Sequence, residues 1–111
     1  MIQERPVRFV GGGTVPARLL GSMTGTWPLA VLEVGPAGLS LRLRKIARGV
    51  GPERLEATPV TLRRVFPAHG VTAPGVGFID REGRTFYFWT YRCGRILDLL
   101  ARLRYPVITQ D

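Results

Sequence analysis

Val76-Gly77-Phe78-Ile79-Asp80-Arg81-Glu82-Gly83-Arg84-Thr85-Phe86-Tyr87-Phe88-Trp89 is the stretch from which the fold is read. Val76 to Ile79 and Thr85 to Trp89 are β-prone runs flanking a polar, Gly-containing turn, the pattern of an antiparallel hairpin. Alternate strand residues face opposite sides. Phe86 and Phe88 therefore share one face, and Thr85, Tyr87 and Trp89 share the other. Aromatic bulk on both faces calls for cover on both: an interior on one side, a helix or loop on the other. The helix follows directly, over residues 92–104. Ile96, Leu97, Leu100 and Leu103 recur at helical spacing, Leu99 broadens the stripe, and Tyr105 before Pro106 ends it. This helix is expected to cover at least one of Tyr87 and Trp89.

Upstream, Leu29 to Val34 and Leu39 to Arg44 form a second hairpin around Gly35-Pro36-Ala37-Gly38. Leu39, Leu41 and Leu43 alternate strictly with Ser40, Arg42 and Arg44, as in an antiparallel strand with one buried face and one facing water or a partner. Arg18 to Leu20 is read as the start of an earlier strand, Gly49, Gly51 and Pro52 as a loop, and Ala57 to Phe66 as one further strand, with a short helix as the alternative because Val60 to Phe66 alternates poorly. Pro67 to Gly75 reads as a loop holding His69. Residues 1–17 read as a tail with one short strand, Val7 to Val10, before a flexible joint at Gly11-Gly12-Gly13.

A chain of 111 residues, 45% apolar, can fold around one core without staples. The lone Cys93 rules out a disulfide within the chain and suits a reducing compartment. No apolar run reaches the roughly 18 residues of a spanning helix, and Met1-Ile2-Gln3-Glu4-Arg5 does not open a secretory signal. The expected location is the cytoplasm, extending to the inner face of the membrane. Net charge is +8, with fifteen Arg and one Lys among the basic residues. That balance admits nucleic acid or an anionic membrane as a partner and does not choose between them.

The order of elements resembles small bacterial pleckstrin-homology-like (PH-like) domains. The residues carrying the resemblance are Pro28 through Arg42, then Gly77-Phe78-Ile79, Phe86 to Thr90, Arg95 to Leu100 and Tyr105-Pro106-Val107. It implies a single domain over 18–108, with two curved antiparallel sheets, about seven strands in all, forming a small barrel closed by the C-terminal helix. It also implies a non-catalytic binding or scaffolding module. Lipid-binding members carry basic residues in the first hairpin loop, and Gly35-Pro36-Ala37-Gly38 has none.

No catalytic constellation emerges. His69 has no nearby nucleophile in the sequence, Cys93 reads as a small packed residue, and Asp80 and Glu82 belong to a solvated turn. Glu53 and Glu56 look peripheral. Gly11-Gly12-Gly13-Thr14 lacks the Lys-Ser/Thr ending of a phosphate loop. No metal set or cofactor is expected. The candidate partner patch is Arg42, Arg44, Lys45, Arg48, Arg63 and Arg64, on the condition that the strands bearing them are neighbours. The partner is expected to be a protein, a peptide or an anionic surface, with strand addition at a sheet edge and a homodimer also open. The rival reading is a single-stranded nucleic-acid module in which Tyr87 and Trp89 stack bases, provided the helix leaves them uncovered.

Overall fold

The computed structural model describes residues 6–17, 21–43, 54–70 and 73–108, with the backbone alone at 17, 21–23 and 25–28. Seven strands precede one helix: β1 (Val7–Ala17), β2 (Gly21–Val34), β3 (Leu39–Leu43), β4 (Leu55–Ala57), β5 (Leu62–His69), β6 (Pro74–Asp80), β7 (Thr85–Trp89) and α1 (Cys93–Arg102). They form a single antiparallel sheet in the order β4-β3-β2-β1-β7-β6-β5. The expected barrel of two curved sheets is thus corrected to one open seven-stranded sheet followed by the helix.

Closure fails at the corner between β4 and β5, which are consecutive in the chain but lie at opposite ends of the sheet. The Thr58 amide donates to Thr61 Oγ1 at 2.8 Å, the Thr61 amide donates to Thr58 Oγ1 at 3.1 Å, and the Leu62 amide donates to the Thr58 carbonyl at 3.0 Å. Such reciprocal capping makes one helical turn, not a hairpin turn. It splits the single strand expected over 57–66 into two strands that do not pair. The sheet is nevertheless curled. A link of residues 58–61 reaches at most about 18 Å, whereas seven flat strands would span about 29 Å.

The central strand is β1, which pairs with β2 along both halves and with β7 at Gly12, Gly13 and Thr14. The tail and flexible joint expected there are therefore corrected: the strand continues from Val10 to Ala17. The glycines are needed because the neighbours come too close for side chains. A Cβ on Gly11 would lie 2.7 Å from the Trp89 carbonyl oxygen, and one on Gly13 would lie 2.9 Å from the Ala30 Cβ. Opposite Gly12, residues 26–29 of β2 form a bulge, since Gly11 pairs with Ala30 and Gly13 with Gly25. Bulges bend strands, and this one holds Pro28, whose missing donor is tolerated where the ladder is already interrupted.

The inner face carries one continuous core. Phe78, Phe86, Phe88, Leu32, Leu41 and Leu55 are fully buried there with Ile96 and Leu100 of the helix. A ten-residue helix is marginal alone. Burying Ile96 and Leu100 contributes about 1.5–3 kcal/mol each and holds it on the sheet. Its end is a Schellman arrangement: the Tyr105 amide donates to the Leu100 carbonyl at 3.0 Å and the Arg104 amide to the Ala101 carbonyl at 3.1 Å, with Arg104 at φ 69°. The buried Tyr105 then donates its hydroxyl to the Gly35 carbonyl at 2.8 Å, tying the helix end to the β2–β3 turn.

The loop expected over 67–75 is corrected to a hairpin. β5 continues through Pro67 to His69, β6 begins at Pro74, and the Gly70 amide donates to the Ala73 carbonyl at 2.9 Å. Pro67 fits because β5 is an edge strand. The hairpins at Val34/Leu39 and Ile79/Thr85 match the expected pairs. The readings at 18–20 and 49–52 lie outside the described residues.

Candidate functional site

Across the outer face of the sheet, Arg8, Glu33, Ser40 and Glu56 stand opposite one another on β1, β2, β3 and β4. The alternation that buries Leu39 and Leu41 turns Ser40 outward, and the pairing register then sets a carboxylate on each side of it. Beside this row lies an open groove of about 580 Å³ walled by Glu33, Ser40, Glu56, Thr58, Thr61 and Pro6. The capped corner described above makes its Thr58–Thr61 wall rigid. Among the described residues, Glu33 and Glu56 are the only ionisable side chains in the lining. Arg54 Nη2 lies 3.0 Å from Glu56 Oε2, but both side chains are more than half exposed, so the pair contributes at most about 1 kcal/mol and yields readily to a competing cation.

The groove can hold an extended segment with one basic side chain between the two carboxylates. Only one of its three central residues is readable in the sequence: alternation turns Ser40 outward, whereas Glu56 looks peripheral and no local signal singles out Glu33. Thr58-Pro59-Val60-Thr61 falls in the segment read as a strand or a short helix, and a Thr cap with Pro at the next position is the signal that favours the helical turn.

The basic residues are not gathered along the ladder. Arg42 lies on β3 and Arg63 and Arg64 on β5, with β2, β1, β7 and β6 between the two strands. The neighbourhood that would make them one patch is absent from the ladder among the described residues. Arg44, Lys45 and Arg48 lie outside the described residues.

The helix leaves the outer aromatic face alone. It joins Phe86 and Phe88 in the core, while Tyr87 and Trp89 stay half-buried on the opposite side. The cover expected from the helix over one of these two rings is corrected accordingly. Instead the rings engage one another. Tyr87 and Trp89 are stacked with centroids 5.0 Å apart and an interplanar angle of 6°, and Phe66 meets Tyr87 edge-on at 6.2 Å. Trp89 Nε1 donates to Thr14 Oγ1 at 2.9 Å, and Thr14 and Thr24 share a hydroxyl–hydroxyl bond of 2.9 Å. Of the π-faces a nucleobase would need, those between Tyr87 and Trp89 are already used.

Asp80 organises the β6–β7 turn. Its Oδ1 accepts the amides of Glu82 at 3.0 Å and Arg84 at 2.9 Å, and its Oδ2 accepts Arg84 Nε at 2.7 Å. Gly83 takes φ 86°, as this turn requires. Arg81 Nη2 donates to the Val60 carbonyl at 2.6 Å and so braces the groove corner from the hairpin. His69 is exposed at the end of β5, and Cys93 is half-buried at the start of the helix. Burial raises the Tyr105 hydroxyl above its ordinary pKa of 10.0. Among the described residues no group of His, Cys, Asp and Glu is placed to hold a metal, and no helix is long and apolar enough to cross a membrane. Neither a family model nor a curated protein matches the chain, so the resemblance to PH-like domains has no such match behind it.

Proposed function

We propose that this protein is a non-catalytic binding or scaffolding module, and that its ligand is an extended protein segment carrying a Lys or Arg, seated in the groove beside β4. The observation that carries the reading is the pair of carboxylates, Glu33 and Glu56, flanking Ser40 in the lining of an open groove on a chain of net charge +8. Arg8 stands across from Glu33 and Arg54 pairs with Glu56, so a basic ligand competes with these exposed arginines for the two carboxylates and is selected by charge complementarity. The lone Cys93 supports a cytoplasmic setting.

The test is fluorescence anisotropy with labelled extended peptides that are basic, neutral or acidic. Basic peptides are expected to bind, to weaken with salt, and to lose roughly tenfold in affinity with Glu33→Gln/Glu56→Gln. Equal binding of acidic and basic peptides, or indifference to the double substitution, would refute the reading.

The single-stranded nucleic-acid reading keeps one observation in its favour: Tyr87 and Trp89 lie outside the cover of the helix, on the face that also carries Arg64. Its signature is binding of an oligothymidylate with a steep salt dependence that Trp89→Leu weakens. The engaged ring faces place it second.

A further inference from the structure

The two free edges of the sheet are protected in different ways. β4 has three residues and offers little to pair with. β5 has eight and would be the adhesive edge, yet the chain covers it. The Val65 amide donates to the Pro106 carbonyl at 2.9 Å, and the Ile108 amide donates to the Val65 carbonyl at 2.7 Å. Val107 thereby forms a parallel bridge to Val65, the beginning of an eighth strand. Because the backbone groups of an antiparallel strand alternate in direction, Val65 and Pro67 both face outward from β6. Val65 is occupied, and Pro67 has no amide to offer.

We propose that residues 106–108 are an intramolecular cap on β5, and that a second copy of this chain pairs with the same edge, antiparallel about Val65, whenever the cap is lifted. The register is self-complementary. With Val65 opposite Val65, the two residues exchange both backbone bonds, and each Arg64 stands opposite a Phe66, so the arginines do not oppose one another. Lifting the cap takes the partly buried Val107 off the margin of the core and leaves the fully buried residues in place. Tyr105 holds the helix end to Gly35 independently of residues 106–108.

The experiment compares the full chain with Ile108→Pro, which removes the donor to Val65, and with a chain ending at Tyr105. Molar mass by light scattering is read across a concentration series, and amide exchange is read at Val65, Phe78 and Phe86. The full chain is expected to have the mass of one copy. In dilute solution both variants should exchange the Val65 amide roughly tenfold faster or more while Phe78 and Phe86 stay protected. At high concentration both should reach the mass of two copies, with protection returning at Val65. Variants that keep the mass of one copy overturn the proposal, as does a dimer that leaves Val65 unprotected. Loss of protection at Phe78 and Phe86 together with Val65 would show that the segment is a staple of the core, which also overturns it.

Discussion

On one side of β7, Phe86 and Phe88 are fully buried beneath the helix; on the other, Tyr87 and Trp89 are half-buried, with no helix over them among the described residues. The inner face is held by volume, since several large side chains from the sheet and helix fill one core. The outer face is held by fit between unlike residues. Gly77 lies under the Phe66 ring, and a Cβ on Gly75 would come within 2.6 Å of Trp89 Cε3. Aromatic rings lying over strand glycines restore packing that the glycines cannot supply. The same strand thus shows that amphipathic alternation does not require a second layer on each apolar face. Rings can cover the backbone itself.

The inner face should be the more sensitive to truncation. Phe86→Ala is expected to destabilise by about 3–5 kcal/mol, because it opens a cavity among fully buried side chains; urea unfolding reads this directly. A loss below that of Tyr87→Ala would reverse the ranking of the two faces.

The outer face should instead be sensitive to added atoms. Gly75→Ala drives a methyl against the Phe88 carbonyl oxygen, which belongs to the backbone and cannot turn away. A loss of about 1–3 kcal/mol is expected. Gly77→Ala meets the Phe66 ring first, so its loss should shrink markedly in the background Phe66→Ala, a coupling that a double-mutant cycle measures.

The helix that covers the inner face depends on its C-terminal anchor. Tyr105→Phe removes the hydroxyl bond to Gly35 and should cost about 1 kcal/mol at neutral pH. The same hydroxyl has a pKa raised by burial above the ordinary 10.0. Its contribution is therefore fully present below pH 10 and is lost as pH rises through the folded value, because the unfolded chain releases the proton first. An alkaline pH series of unfolding should fall more steeply for the full chain than for Tyr105→Phe. The smallest expected effect has the opposite sign. Arg104→Gly relieves the left-handed conformation at the helix end and should stabilise by roughly 0.5–1 kcal/mol.

Both hairpins were legible because their signals are local. Leu39, Leu41 and Leu43 alternate without a break, and Asp80 to Gly83 spells a turn within four residues. The helix was legible for the same reason, with boundaries displaced by one or two residues where Leu103 and Arg104 turn back. The groove was only half legible. Ser40 follows from alternation, but its partners Glu33 and Glu56 meet it through pairings across three strands. That Arg42 and Arg64 are not ladder neighbours was not legible, because sequence spacing says nothing about how many strands lie between them.

Residue order alone determined the two hairpins with clear turns, the direction of the apolar side in their alternating strands and the C-terminal helix, since these depend on neighbours a few positions apart. Only the tertiary structure decided that Gly11-Gly12-Gly13 is the centre of the sheet and not a joint. In isolation the triplet has too much freedom to favour a strand. Pressed between β2 and β7, it is the one kind of segment thin enough to fit. The open corner between β4 and β5 was decided at the same level, because whether two distant edges meet depends on the curl of every strand between them.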